Sequence, residues 1–189
     1  MKYSKNLIIN NKLTFPLATA INFFSITALL IIAGLLGHEA LAADIALVQA
    51  ATVAIFLSLS GNARNLILAS GKETDEKSLL YFRLTAMVPA VGAVYYLIQH
   101  TFDISIYTVT GLIIRKCAEW VAELQLANNE KNNNHAFALK YIKFNILSFI
   151  GLILMLLIST EMIFFFWIIH LGTLTNNFGI KLSPIYFFS

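Results

Sequence analysis

Long stretches of this chain carry no Asp, Glu, Lys or Arg: residues 13–37, 45–63, 84–102, 144–160 and 162–180, with a shorter one at 104–114. Apolar residues run through them continuously rather than alternating, which argues against membrane-barrel strands and for helices. A helix rising 1.5 Å per residue needs roughly 20 apolar residues to cross a hydrocarbon layer of about 30 Å. Five of the stretches reach or approach that length. The stretch from 104 falls short, but no breaker follows it, so one helix is expected over 104–126. The pattern predicts an all-α polytopic membrane helix bundle of five to six transmembrane helices. Its spans are expected at 14–36, 45–66, 82–100, 104–126, 143–160 and 162–180, in a single transmembrane domain covering 1–189.

Two regions leave alternatives open. Lysines, an apolar run and Ala40-Leu41-Ala42 imitate a cleavable signal peptide. The run exceeds the roughly 7–15 residues of a signal core, so it is expected to stay as a span, with Pro16 in its first turn. Near the other end, only Glu161 separates 144–160 from 162–180. Either Ser159-Thr160-Glu161 forms a tight turn, or one helix continues to about Gly172. Charge placement favours six spans and turn geometry favours five. The chain ends at Pro184-Ile185-Tyr186-Phe187-Phe188-Ser189 without a polar tail, which suggests a truncated or split product.

Composition narrows the function classes. Of 189 residues, 58% are hydrophobic and 12% charged, against about 45–50% and about 25% in soluble domains. Mean hydropathy is +0.75. A net charge of +3 is too weak and dispersed for a nucleic-acid binder. A single cysteine, Cys117, precludes an internal disulfide framework and a Cys-based zinc site.

The order of the basic residues sets an orientation. Lys2, Lys5 and Lys12 precede the first expected span, and Arg64, Lys72, Lys77 and Arg83 surround the second connection. Arg115, Lys116, Lys131, Lys140 and Lys143 surround the fourth, Lys181 follows the last run, and the intervening connections carry none. Under the positive-inside rule the basic side is cytoplasmic, with the N-terminus inside.

Polar groups at membrane depth are costly and tend to line a bundle interior or a water-filled cavity. If 45–66 is one helix, Gln49, Thr52, Ser60 and Arg64 fall within about 120° of one face, with Asn62 and Asn65 on the other. Ser60 and Thr52 can equally bond to their own backbone, and Arg64 can snorkel to the interface. Arg115, Lys116, Glu119 and Glu123 share an arc of about 100° on the fourth helix. The Arg115–Glu119 and Lys116–Glu119 spacings suit local ion pairs. Eleven residues from Ile104 climb only about 16 Å, which leaves Arg115 and Lys116 at membrane depth or in its cytoplasmic half. One reading is an amphipathic cytoplasmic extension with Trp120 in the headgroup belt. The other is a charged stripe lining an inward-opening cavity, whose cations suit an anionic, phosphate-bearing substrate. Pro89 and Gly92 in the third span predict a kink that lets helices rock. Residues 128–135, rich in Asn, read as a solvated connection.

Val48-Gln49-Ala50 leading to Gly61-Asn62-Ala63-Arg64-Asn65-Leu66-Ile67-Leu68 resembles the second-helix region of polysaccharide flippases in the multidrug/oligosaccharidyl-lipid/polysaccharide exporter superfamily. Arg115-Lys116-x-x-Glu119-Trp120-x-x-Glu123 is similar to their fourth-helix stretch. The resemblance covers roughly residues 13–144. It implies one lobe, the N-terminal one, of a two-lobe exporter that moves polyprenyl-pyrophosphate-linked oligosaccharides across the bacterial inner membrane for polysaccharide biosynthesis. It implies Arg64, Arg115 and Lys116 as cavity cations, with Gln49 and Asn62 as weaker polar candidates beside Glu119 and Glu123. The implied partners are the lipid bilayer, the lipid-linked oligosaccharide and a second lobe, supplied by another chain or by self-association. No cofactor is expected.

Rival classes remain. An integral-membrane transferase that holds metals needs clustered aspartates, whereas Asp44, Asp75 and Asp103 lie on separate connections. His38, His100, His135 and His170 are isolated, which argues against a local metal site, and no Gly-rich phosphate loop is present. The chain is therefore not expected to be an enzyme. A small structural or regulatory membrane subunit, or a nonfunctional fragment, is the alternative.

Overall fold

The computed structural model describes residues 2–69 and 76–159, with side chains described for 13–21, 23–69 and 78–159. Six helices follow one another: α1 Lys2–Leu35, α2 Glu39–Ser58, α3 Ala63–Ala69, α4 Glu76–Thr101, α5 Ile106–Lys131 and α6 His135–Ile158. Among the described residues there is no strand. The all-helical bundle expected from the uncharged runs is the fold.

Local chemistry explains where the helices end. α1 closes with Gly37 at φ +81°, while the His38 N–H donates to Ala33 O at 2.9 Å and the Gly37 N–H to Gly34 O at 3.1 Å. This paired closure consumes carbonyls that the last turn would otherwise leave empty, and it needs a left-handed residue that glycine supplies without strain. α5 ends the same way around Asn133, at φ +53°. There the Asn134 N–H donates to Asn129 O at 2.8 Å and the Asn133 N–H to Glu130 O at 3.0 Å. Asn is the common non-glycine residue in this conformation.

Several sequence expectations are corrected. The second span does not run to Leu66: α2 stops at Ser58, and Gly61 and Asn62 both take positive φ, +59° and +53°, before α3 begins. Two successive left-handed residues break the helix, so the common face drawn from Gln49 to Arg64 on one continuous helix does not exist. Residues 128–131 are helical, and the connection is only 132–134. Asn side chains tie it together: Asn134 Nδ2 donates to Asn129 Oδ1 at 2.7 Å. α1 starts at Lys2, so Pro16 lies inside it rather than at its first turn. α6 begins at His135, earlier than expected, and ends where Ser159 turns extended (φ −162°, ψ 133°). That extended residue rules out one unbroken helix from 144 to Gly172. The expected span 162–180 lies outside the described residues.

Among the described residues, four helical stretches are long and apolar enough to cross a membrane: Leu13–Leu35, Glu39–Ser58, Ser78–Thr101 and His135–Ile158. Their outward faces carry large apolar side chains such as Phe23, Phe24, Ile31, Val88, Tyr96, Leu147, Leu154 and Leu157. Apolar surface of that extent is not sustained in water by a single soluble domain, and the chain is a membrane protein. α5 is the exception. It bears the most charge and lies at the centre, touching all five other helices. Small residues allow the close approach: Ala118 and Ala122 of α5 pack with Ala18 of α1 and Ala138 of α6 in one buried cluster. Close backbone contact of this kind substitutes for the hydrophobic drive that lipid removes.

Candidate functional site

α5 presents one charged stripe to its neighbours. Arg115, Glu119, Glu123 and Glu130 stand 4, 8 and 15 residues apart from the first, and at about 100° per residue they share one face. The stripe extends about 22 Å along the helix axis. Each of the chain's three arginines pairs with a different glutamate of that stripe.

The deepest rung is local to α5. Arg115 Nε donates to Glu119 Oε1 at 2.9 Å, and Lys116 Nζ to Glu119 Oε2 at 3.3 Å. Arg115 also donates from Nη2 to Ser25 Oγ of α1 at 2.5 Å. Ser25 lies near the middle of the apolar stretch Leu13–Leu35. Arg115 is thereby held against the middle of a helical stretch long and apolar enough to cross a membrane. Two cations share one carboxylate there, so this rung carries a net charge of +1. The local pairs expected from the spacing are present. The stripe bonds to α1, α3 and α4, with the Glu123 and Glu130 side chains 38% and 29% exposed, and Trp120 is buried against Phe56 with ring centroids 4.9 Å apart.

The next rung joins α4 to α5. Arg83 is 0% exposed, while the side chain of its partner Glu123 is 38% exposed. Arg83 Nη1 donates to Glu123 Oε2 at 2.9 Å and to the Trp120 carbonyl at 2.5 Å. The guanidinium carbon sits 5.2 Å from the Trp120 ring centroid, within the range of a cation–π contact. Nε and Nη2 of Arg83 are buried and have no hydrogen-bond partner among the described residues. Buried donors are seldom left this way.

The outermost rung joins α3 to α5 and α1. Arg64 Nη2 donates to Glu130 Oε2 at 2.9 Å, and Nη1 to Thr19 Oγ1 of α1 at 3.3 Å. Beyond it, His135 at the start of α6 shares a hydrogen bond with Thr14 Oγ1 at 2.9 Å and packs against the Phe15 ring. The partners rise in order along α1, from Thr14 through Thr19 to Ser25. The ladder therefore runs from one end of the bundle to mid-depth.

The structure brings together Arg64, Arg115, Lys116, Glu119 and Glu123 along this seam. It does not bring Gln49 or Asn62 there. Gln49 is half-buried on α2 and makes no hydrogen bond to the ladder, and Asn62 is exposed in the turn before α3. Thr52 is buried and donates to the Gln49 carbonyl at 2.9 Å, the backbone satisfaction weighed for it above. Sequence reasoning missed Arg83 and Glu130. Glu130 lies seven residues beyond Glu123, so a helical wheel continued to Lys131 would have found it. Arg83 had no local signal, because its partner is on another helix. Among the described residues no three His, Cys, Asp or Glu side chains converge to hold a metal. Compared with protein-family models, curated proteins and solved structures, the chain matches none.

Proposed function

We propose that the chain is one lobe of a bacterial inner-membrane exporter of the polysaccharide flippase type, moving polyprenyl-pyrophosphate-linked oligosaccharides with its N-terminus in the cytoplasm. The observation that carries this reading is the Arg115–Lys116–Glu119 rung, two cations and one anion bonded through Arg115 to Ser25 near the middle of the apolar stretch of α1. Excess positive charge at that depth is expensive and suits a bundle that handles an anion. Arginine is the side chain best matched to phosphate oxygens. The sequence resemblance, carried by residues 48–68 across α2 and α3 and by 115–123 on α5, supports the same class. The excess of Lys and Arg around alternate connections supports the orientation.

The test is reconstitution of the chain with its second lobe in liposomes that contain a fluorescent polyprenyl-pyrophosphate oligosaccharide, with the label's accessibility to an external quencher as readout. The wild-type assembly moves the lipid, and Arg115→Ala slows it without lowering protein level. Equal transfer by wild type, Arg115→Ala and empty liposomes overturns the reading. A structural membrane subunit is the second reading, favoured by the intramolecular glutamate that each arginine possesses. It expects no transfer by any variant and loss of an assembled partner when Arg64 or Glu130 is replaced.

A further inference from the structure

Arg83 is the buried group that neither the expected cavity cations nor the local pairing on α5 explains. A guanidinium offers its donors on two usable edges, and Nε with Nη2 forms the side edge, two parallel N–H groups matched to two oxygens of one phosphate or carboxylate. In this protein that whole edge is buried and has no hydrogen-bond partner among the described residues. Nη1 alone carries both the Glu123 carboxylate and the Trp120 carbonyl. The plane of the group is supported by the Trp120 ring, itself fixed on Phe56. Arg83 is therefore held by one nitrogen, with its strongest binding edge unused.

We infer that Arg83 is an oxyanion anchor for a phosphate group, and that Glu123 occupies it as an internal stand-in until the phosphate displaces it. Glu123 is suited to leave: its side chain is 38% exposed, so water takes it up when it swings off, whereas Arg83 at 0% cannot be hydrated in place. The incoming group has more acceptor oxygens than the departing carboxylate. The two phosphates of a pyrophosphate can cover both edges, one on the empty Nε–Nη2 pair and the other on Nη1 in place of Glu123. Arg115 is less available for this role. Nε and Nη2, the same edge, are already taken by Glu119 and Ser25. The phosphate can come from a lipid-linked pyrophosphate or from free pyrophosphate. The first source rests on the function proposed above and the second does not.

The experiment uses the full chain in phosphatidylcholine nanodiscs, with binding measured by native mass spectrometry for two probes, inorganic pyrophosphate and a polyprenyl pyrophosphate. Arg83→Lys keeps the charge but removes the side edge, and Glu123→Gln keeps the shape but weakens the stand-in. Arg83→Lys is expected to weaken binding about tenfold, and Glu123→Gln to strengthen it by a similar factor. A merely structural ion pair does not produce opposite signs, and melting temperatures of both variants establish that each is folded. Binding that is absent, or that neither substitution changes, or that Glu123→Gln weakens, overturns the anchor. Arg83-dependent binding of inorganic pyrophosphate without the polyprenyl form retains the anchor and removes the lipid-linked cargo.

Discussion

The two partners of the α4–α5 ion pair sit in different surroundings, and replacing them one at a time has unequal consequences. Glu123→Met strands a guanidinium that has no exposed surface, with only the Trp120 carbonyl and ring as polar company. Removing one partner of a buried pair in this way costs about 3–5 kcal/mol. Arg83→Met instead removes the buried charge together with its two empty donors, and leaves Glu123 with over a third of its side chain in contact with solvent. What is lost there is two charged hydrogen bonds, to Glu123 and to the Trp120 carbonyl, each about 1.5–3 kcal/mol, and a cation–π contact of about 0.5–1 kcal/mol, offset by no longer desolvating two unsatisfied donors, each about 1–3 kcal/mol. The net is about 1 kcal/mol. Glu123→Met is therefore expected to be the more destabilising change by at least about 2 kcal/mol, and the double replacement to recover most of the difference. Equilibrium unfolding in mixed detergent micelles, followed by far-UV circular dichroism, measures all three. Equal losses, or a larger loss for Arg83→Met, refute the inference that Arg83 is a buried charge dependent on Glu123.

Two further expectations follow from the geometry. Ser25→Ala removes the α1 acceptor of Arg115 and should cost about 1.5–3 kcal/mol, the range for a hydrogen bond to a charged group. A loss below about 0.5 kcal/mol, usual for surface substitutions, places Arg115 in water. Gly37→Ala should destabilise by about 1–2 kcal/mol, because φ is +81° although the space beside it is open. Gly34→Ala, in the helix with nothing within 4 Å of the added carbon, should be neutral or stabilising by up to about 1 kcal/mol. The same unfolding series separates the two, and a common sign for both refutes the Schellman-type closure of α1.

The helices were legible because lipid imposes a simple rule, an uncharged run of spanning length, and 13–35 and 84–101 obey it. The pairing of Arg115 and Lys116 with Glu119 was legible for the same kind of reason, since both partners lie within one helical turn. What sequence spacing does not encode is which helix stands beside which. Arg83–Glu123 and Arg64–Glu130 join residues 40 and 66 positions apart, and only the packing of α3 and α4 on α5 brings them together. The break at Gly61-Asn62 had a local signal, a Ser-Gly-Asn turn, but the uncharged stretch 45–63 outweighed it. The helical state of 128–131 was hidden in a similar way. Asparagines that read as a loop serve at the end of α5 as capping and turn residues, where their side chains bond to one another and to the backbone.

Placement of the charged stripe inside the bilayer is most directly tested at Cys117, the chain's single cysteine, beside Lys116 and half-buried on α5. A nitroxide attached there in phospholipid bilayers should collide more with oxygen than with a water-soluble nickel chelate, with a depth of about 10–15 Å below the phosphates, towards the middle of a core about 30 Å thick. A control label at Asn133→Cys, in a Cys117→Ala background, should show the reverse. A Cys117 label as accessible to the nickel chelate as the one at 133 would contradict a membrane-embedded stripe.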